Sequence, residues 1–338
     1  MERPSFALQG RPRTVALLRS RAVVAGLIIL ALYVLVALVA APILFPRNLT
    51  NMEIDYPMLV SCAPPSPPTL SLSPLSLGSH PLGETGFMGY GVAQGLIVGT
   101  RWDLALVTAI LVPSVVLGTF IGLSAAAYGG KIDWFVAAVI DTTLSIPDFV
   151  FIFLIVAIAV PFVPQSLAVS IFVISMILVM WAPYARGVRS EALRQSALPY
   201  VEAAYAAGAS KSRVAIRHLL PNSVNPILAQ LPITVAMILA LVIGIQYVTA
   251  VSNQQQSPSP CGYASNNPIT APVVPHFNYP EWGAVFGAGL TGWAPTLNSP
   301  LGEGWWGFVF PAIWISIFGL GLLFLSDGIR DVLSRNRS

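Results

Sequence analysis

The chain has 338 residues, 55% of them hydrophobic and only 9% charged, with a net charge of +3. Soluble domains carry about a quarter charged residues, so this composition excludes one and marks a membrane protein before any motif is read. The small basic excess sits beside apolar runs, the pattern of membrane orientation rather than of nucleic-acid binding.

The first apolar run covers 22–45 and follows Arg19 and Arg21. At 1.5 Å per residue it reaches about 36 Å, enough for a hydrocarbon core of roughly 30 Å. It exceeds the length of a signal-peptide core, so a retained anchor is expected; Ala40 and Ala41 keep a cleavable signal open as the alternative. Further spanning helices are expected at 104–128, 134–162, 167–184, 227–251 and 307–325, six in all.

Basic residues set the orientation. With the N-terminus inside, all of the 17 lysines and arginines except Arg47 and Arg101 fall on the cytoplasmic side. The chain therefore divides as follows. Residues 1–21 are cytoplasmic, 22–45 the first helix and 46–103 an outer loop. Residues 104–251 form a transmembrane core with a cytoplasmic loop at about 185–225. A second outer loop spans 252–306, and 307–338 hold the last helix and a cytoplasmic end. The expected fold class is all-α and polytopic, in the cell membrane, with both termini cytoplasmic.

The outer loops have their own chemistry. A Pro/Ser-rich piece at 63–74 is expected to be extended. The second loop starts with a polar stretch at 253–260 and then turns aromatic, with Tyr263, Phe277, Tyr279, Trp282, Trp293, Trp305 and Trp306. These rings either anchor the loop at the membrane interface or stack on sugar rings. Cys62 and Cys261 are the only cysteines, one in each outer loop. A bridge between them is expected, with two unpaired thiols as the alternative.

His80, His218 and His276 lie far apart, so no metal-ligand spacing is present. No G-x-x-x-x-G-K-[ST] segment occurs, so ATP binding through a P-loop of this chain is not expected. Within the spans, Ser114, Gly118, Gly122 and Ala126 recur every four residues, a stripe suited to close helix packing. Asn222, Pro226, Gln230 and Thr234 form a second stripe, either pathway lining or interhelical hydrogen bonding. Asp141 and Asp148 are seven apart in the third span, so they are expected to share one helix face. Asp148, Gln230 and Thr234 are the pathway candidates, because ionisable and polar groups at membrane depth face protein or water. Pro113, Pro147, Pro183, Pro232 and Pro311 are candidate kinks.

The informative stretch follows the fourth span: Pro199-Tyr200-Val201-Glu202-Ala203-Ala204-Tyr205-Ala206-Ala207-Gly208-Ala209-Ser210-Lys211, continuing to Arg217-His218-Leu219-Leu220-Pro221-Asn222. Pro199 suits the first turn of a helix, Glu202 its positive end, and Gly208 a left-handed C-terminal position. Ser210 suits the N-cap of a second helix, which Pro221 is expected to end.

This loop resembles the EAA loop of ABC importer permeases: Glu202, Ala203, Ala204, Gly208, Leu220 and Pro221 fall at that family's spacing, with His218 where Ile is common. His80-Pro81-Leu82-Gly83, Tyr128-Gly129-Gly130, Asp141, Ser145-Ile146-Pro147, Pro280-Glu281-Trp282-Gly283 and 325–331 are similar to the dipeptide/oligopeptide branch, so the likeness covers roughly 80–335. The chain departs from it after Gly83, where the family's Arg-Asp pair is missing, at 244–248, and in an apparent insertion at 252–279.

The resemblance implies a type I permease fold and a non-catalytic subunit that forms half of a pathway for peptides, with oligosaccharides or nickel as alternatives. It implies a second homologous permease, two ATP-binding subunits and an extracytoplasmic solute-binding protein as partners, besides the bilayer, and no nucleic acid. ATP and Mg would sit on the partner ATPases and no cofactor on this chain. Glu202, Ala203, Ala204, Gly208, Arg213, Arg217, Leu220 and Pro221 would meet the ATPase. Arg213 and Arg217 have a second reading as membrane-surface charge. A secondary transporter or channel is the alternative class, and would more often show internal repeats and several intramembrane ionisable groups.

Overall fold

The computed structural model describes residues 20–44, 82, 92–159, 162–255, 282–283, 285–286, 294–296, 299–303 and 305–335. Five helices are long and apolar enough to cross a membrane, and a bent helix pair makes six if it counts as one span. Helix α1 is Arg21–Leu44, with a π turn at Val36–Ala40. Helix α2 is Val92–Tyr128. The bent pair is α3, Gly130–Ser145, and α4, Asp148–Ala159. Then come α5, Gln165–Ser196; α6, Pro199–Ala206; a short α7 over 211–222; α8, Val224–Gln255; and α9, Trp306–Arg335. Two short antiparallel strands, Ala294–Thr296 and Ser299–Glu303, add a small β-ribbon ahead of α9 to an otherwise helical fold.

The small-residue stripe of α2 is its seam with α5. A side chain at Gly118 would run into the Trp181 carbonyl and the Tyr184 Cβ, and one at Gly122 into the Ala185 backbone. Ser114 is fully buried in the same stripe and satisfies its hydroxyl on the Ile110 carbonyl at 2.7 Å. Helices surrounded by lipid gain little from burying apolar surface against each other, so close backbone approach and dispersion must hold them. The same device joins α1 to α9. A Cβ at Gly26 would lie 2.7 Å from the Gly321 carbonyl oxygen, and one at Gly321 2.8 Å from Ile29. Large side chains on the outward faces, among them Ile28, Leu38, Phe120 and Leu154, stay exposed as a lipid-facing surface requires.

The structure departs from the sequence expectations at the helix ends. The second span begins at Val92 rather than 104, because Gly95, Leu96 and Gly99 are buried within the protein rather than left in a loop. The fourth runs on to Ser196, so much of the expected loop at 185–225 is helix. The third span is two helices meeting at 84°. The cause is Pro147: the residue before a proline is driven out of the helical region, and Ile146 sits at φ −91°, ψ 131°. Pro113, Pro183, Pro232 and Pro311 remain inside unbroken helices.

Replacing Gly122 by Leu forces α2 and α5 apart. It is expected to cost at least about 1–3 kcal/mol and to lower the yield of monodisperse protein in detergent. Gly319→Ala is the control: nothing lies within 4 Å of its Cβ position, so the thermal midpoint is expected to hold or rise slightly.

Candidate functional site

The loop singled out in the sequence folds as expected at its first turn. Leu198, extended at ψ 145°, precedes α6, and Pro199 occupies its first turn, where a missing N–H costs nothing. Gly208 closes the helix at φ +82°. The Ala209 N–H donates to the Ala204 carbonyl at 3.1 Å and the Gly208 N–H to the Tyr205 carbonyl at 2.9 Å. That reciprocal pair is the Schellman arrangement, which needs a left-handed residue at this position. Ser210 then caps α7, its hydroxyl accepting from the Arg213 N–H.

Pro221 does not end α7 outright. A ring at that position clashes with the carbonyl four residues earlier, and the backbone widens instead into a π turn at Ala215–Leu219, with the Leu220 N–H donating to the Ala215 carbonyl. The helix closes at Ser223, and α8 starts at the next residue.

One face of this loop is buried and the other is open. Val201, Val214, Ala215 and Leu219 pack with Leu123, Ala126, Ala127, Val188 and Ala192 of α2 and α5. Ala204 and Leu220 are half-buried beside them. Lys211 ties the loop to the end of α2 through the Tyr128 carbonyl at 3.0 Å. Glu202, Ala203, Tyr205, Ala206, Ala207, Gly208, Arg213, Ile216, Arg217 and Pro221 are exposed. Nothing lies within 4 Å of a Cβ built on Gly208. Among the described residues, no ion pair engages Glu202, Arg213 or Arg217. The result is an exposed surface of alanines and glycine with Tyr205 and Ile216 on it, bordered by charge of both signs and set on a buried hydrophobic side.

The arginines of α5 have other work. Arg189 grips Asp133 of α3 with two hydrogen bonds, 2.6 and 2.8 Å, and Arg186 pairs with Asp141. Arg194 pairs with Glu191 on its own helix at 2.5 Å. Asp141 is thus bonded to a neighbouring helix. Asp141 and Asp148 do not share a continuous face, because the bend at Pro147 separates them. Asp133 escaped sequence reasoning; a carboxylate in the first turn of α3, opposite the arginine run 186–194, was the available signal.

The pathway candidates lie on α4 and α8. Asp148 opens α4 and is half-buried, Gln230 is half-buried, and Thr234 is 1% exposed. Where α4 meets α8, the close contact is the Phe149 ring 3.4 Å from the Cβ position of Gly244. Cys62 and Cys261 lie outside the described residues, as do His80 and Gly83.

A second polar centre lies at the other end of α2. Asp103 is 1% exposed, and its Oδ2 accepts the backbone N–H of Trp282 at 3.0 Å. The Trp282 indole N–H, fully buried, points at the Leu96 carbonyl and the Thr100 hydroxyl, each at 3.3 Å. Its ring packs edge-on against Tyr33 of α1 and Phe318 of α9, at 5.7 and 5.3 Å between centroids. Tyr33 donates to the Trp314 carbonyl at 2.6 Å. One tryptophan from the segment between α8 and α9 therefore joins α1, α2 and α9. Trp282 stood in a family-like segment of the sequence, but Asp103 was read as loop and its role was missed.

These elements match a known class. Residues 115–260 match the family model described as binding-protein-dependent transport system inner membrane component. The chain is thus similar to inner-membrane components of binding-protein-dependent transport systems, and its long apolar helices are those of a multi-pass membrane protein. It is 27% identical over 322 residues to a putative peptide transport system permease protein of Brucella suis biovar 1 (strain 1330), covering 94% of this chain and 88% of that one. It is 25% identical over 317 residues to the dipeptide transport system permease protein DppC of Bacillus subtilis (strain 168), covering 93% and 82%. Against the glutathione transport system permease protein GsiD of Pectobacterium atrosepticum, identity is 26% over 248 residues, covering 73% and 70%.

Asp103→Leu leaves the buried Trp282 N–H without an acceptor. It is expected to cost about 1–3 kcal/mol, read as a lowered midpoint of thermal unfolding in detergent. Asp103→Asn keeps an oxygen acceptor and is expected to cost less.

Proposed function

We propose that this chain forms one half of the translocation pathway of an ATP-driven importer of peptides, coupled to its ATPase through α6 and α7. The observation that carries the coupling role is the open alanine-glycine face of residues 202–208, set on a buried hydrophobic anchor. Small side chains let a partner surface approach closely, and Arg213 and Arg217 stand free to pair with acidic groups on it. The peptide reading is supported by the relatives, named for peptide, dipeptide and glutathione transport.

In this scheme the chain is non-catalytic. ATP and Mg bind to two partner ATP-binding subunits, and this chain holds no cofactor. Closure of the ATPase pair draws two coupling helices together, one from this chain and one from a second homologous permease, and opens the pathway to the extracytoplasmic binding protein. Both termini and the 199–222 loop are cytoplasmic. The basic tally supports that orientation: Lys211, Arg213 and Arg217 fall with the arginines that precede α1 and end α9.

Mild-detergent purification from the native membrane tests the scheme. One or two P-loop ATPases, a second permease with an EAA loop and a binding protein are expected by mass spectrometry. Recovery of the chain alone, in a form that moves solute without ATP, would contradict it. Gly208→Asp is expected to reach the membrane in normal amount yet to reduce peptide uptake to background while ATP hydrolysis persists. The substitution forces a carboxylate onto the partner face and a non-glycine residue into φ +82°, where each such residue costs about 1–2 kcal/mol. Normal uptake by that variant would remove the coupling role from this loop.

A further inference from the structure

Helix α6 has eight residues and one buried apolar side chain, Val201. A lever that short transmits force only if it is tied to the spans, so its polar connections matter. Among the described residues, the side-chain hydrogen bonds that leave α6 all run through Tyr200. Its hydroxyl donates to Gln195 Oε1 at 2.7 Å and accepts from Asn222 Nδ2 at 3.4 Å. Each neighbour is held in turn. Gln195, 8% exposed, donates through Nε2 to Glu191 at 3.0 Å. Asn222 also donates to the His218 carbonyl at 2.8 Å, and the His218 ring lies 6.2 Å from that of Tyr200.

The placement of these groups is specific. Gln195 and Glu191 belong to the last turns of α5. Asn222 ends α7, two residues before α8 begins. Tyr200 thus bridges the end of one span and the start of the next, from the first turn of the helix between them. We propose that Tyr200 is a positioning residue that makes α6 move as one body with α5 and α8, so that a displacement of α6 reaches the spans. The proposal rests on the coupling role assigned above to α6. Tyr200 itself is half-exposed at 39%. Removing its hydroxyl therefore leaves the Val201 anchor and the fold intact.

The test reads the rigidity of the link directly. Nitroxide labels are placed at the exposed position 199, in the first turn of α6 and outside the 202–208 face, and at Ala240 on the outward face of α8. Pulsed-dipolar spectroscopy then measures their distance in the complex with its ATPase, before and after trapping with ATP and vanadate. A single narrow distribution retained on trapping is expected for the native sequence. Tyr200→Phe is expected to keep its ATPase and to hydrolyse ATP. Its label distance should broaden at least about twofold, and transport per ATP should fall by about threefold to tenfold, the factor that loss of ordinary hydrogen bonds gives. Gln195→Leu removes the other end of the link and provides a second variant. It should give the same broadening, and the double variant no more than either alone, because groups acting as one link are not additive. Native-width distributions in both single variants, or additive broadening in the double, would overturn the proposal. Failure of the native chain to bring down any ATPase is a separate result, which strikes the coupling role and not the rigidity of the link.

Discussion

Close approach of helix backbones is the constraint on which the rest depends. In lipid, apolar surface gains nothing by leaving one hydrocarbon environment for another, so helices hold together where small residues let them touch. Ser114, Gly118 and Gly122 allow α2 to lie directly on the Trp181–Ala185 backbone of α5, and Gly26 and Gly321 do the same for α1 and α9. Because α2 and α5 cannot slide apart, their ends form a fixed floor of Leu123, Ala126, Val188 and Ala192, on which α6 and α7 rest.

Polar groups then do what dispersion cannot: they fix orientation. Trp282 and Asp103 tie the segment between α8 and α9 to three spans, and Arg189 with Asp133 ties α3 to α5. Both centres combine a carboxylate with donors from a distant part of the chain. An unpaired carboxylate at such a position is costly, so each pairing also excludes alternative packings. The molecule has a rigid middle with a polar fastening toward either end.

Much of this was legible in the sequence, for reasons that can be named. The small-residue stripe and the EAA-type frame are local patterns whose meaning depends on spacing alone, and Pro199, Gly208 and Ser210 take the backbone positions their chemistry favours. The helix ends were harder. Gly95, Gly99, Arg101 and Asp103 made the start of α2 look like loop, because the partner that buries it, Trp282, lies far along the chain. The bend at Pro147 was readable as a kink but not as an 84° break. The π turn before Pro221 depends on where the strain of the ring is relieved, which spacing does not encode. The Arg189–Asp133 and Tyr200–Gln195–Asn222 contacts needed the fold to bring them together.

The central claim is that the exposed face of α6 is the surface an ATPase grips. A photo-crosslinking amino acid at Ala203, in the middle of that face, tests it without disturbing Val201 or Tyr200. Irradiation of native membranes, followed by mass spectrometry of the adduct, is predicted to join this chain to a P-loop ATP-binding subunit. The adduct yield should change when ATP and vanadate are added. An adduct with lipid alone, or with a protein that binds no nucleotide, would contradict the account.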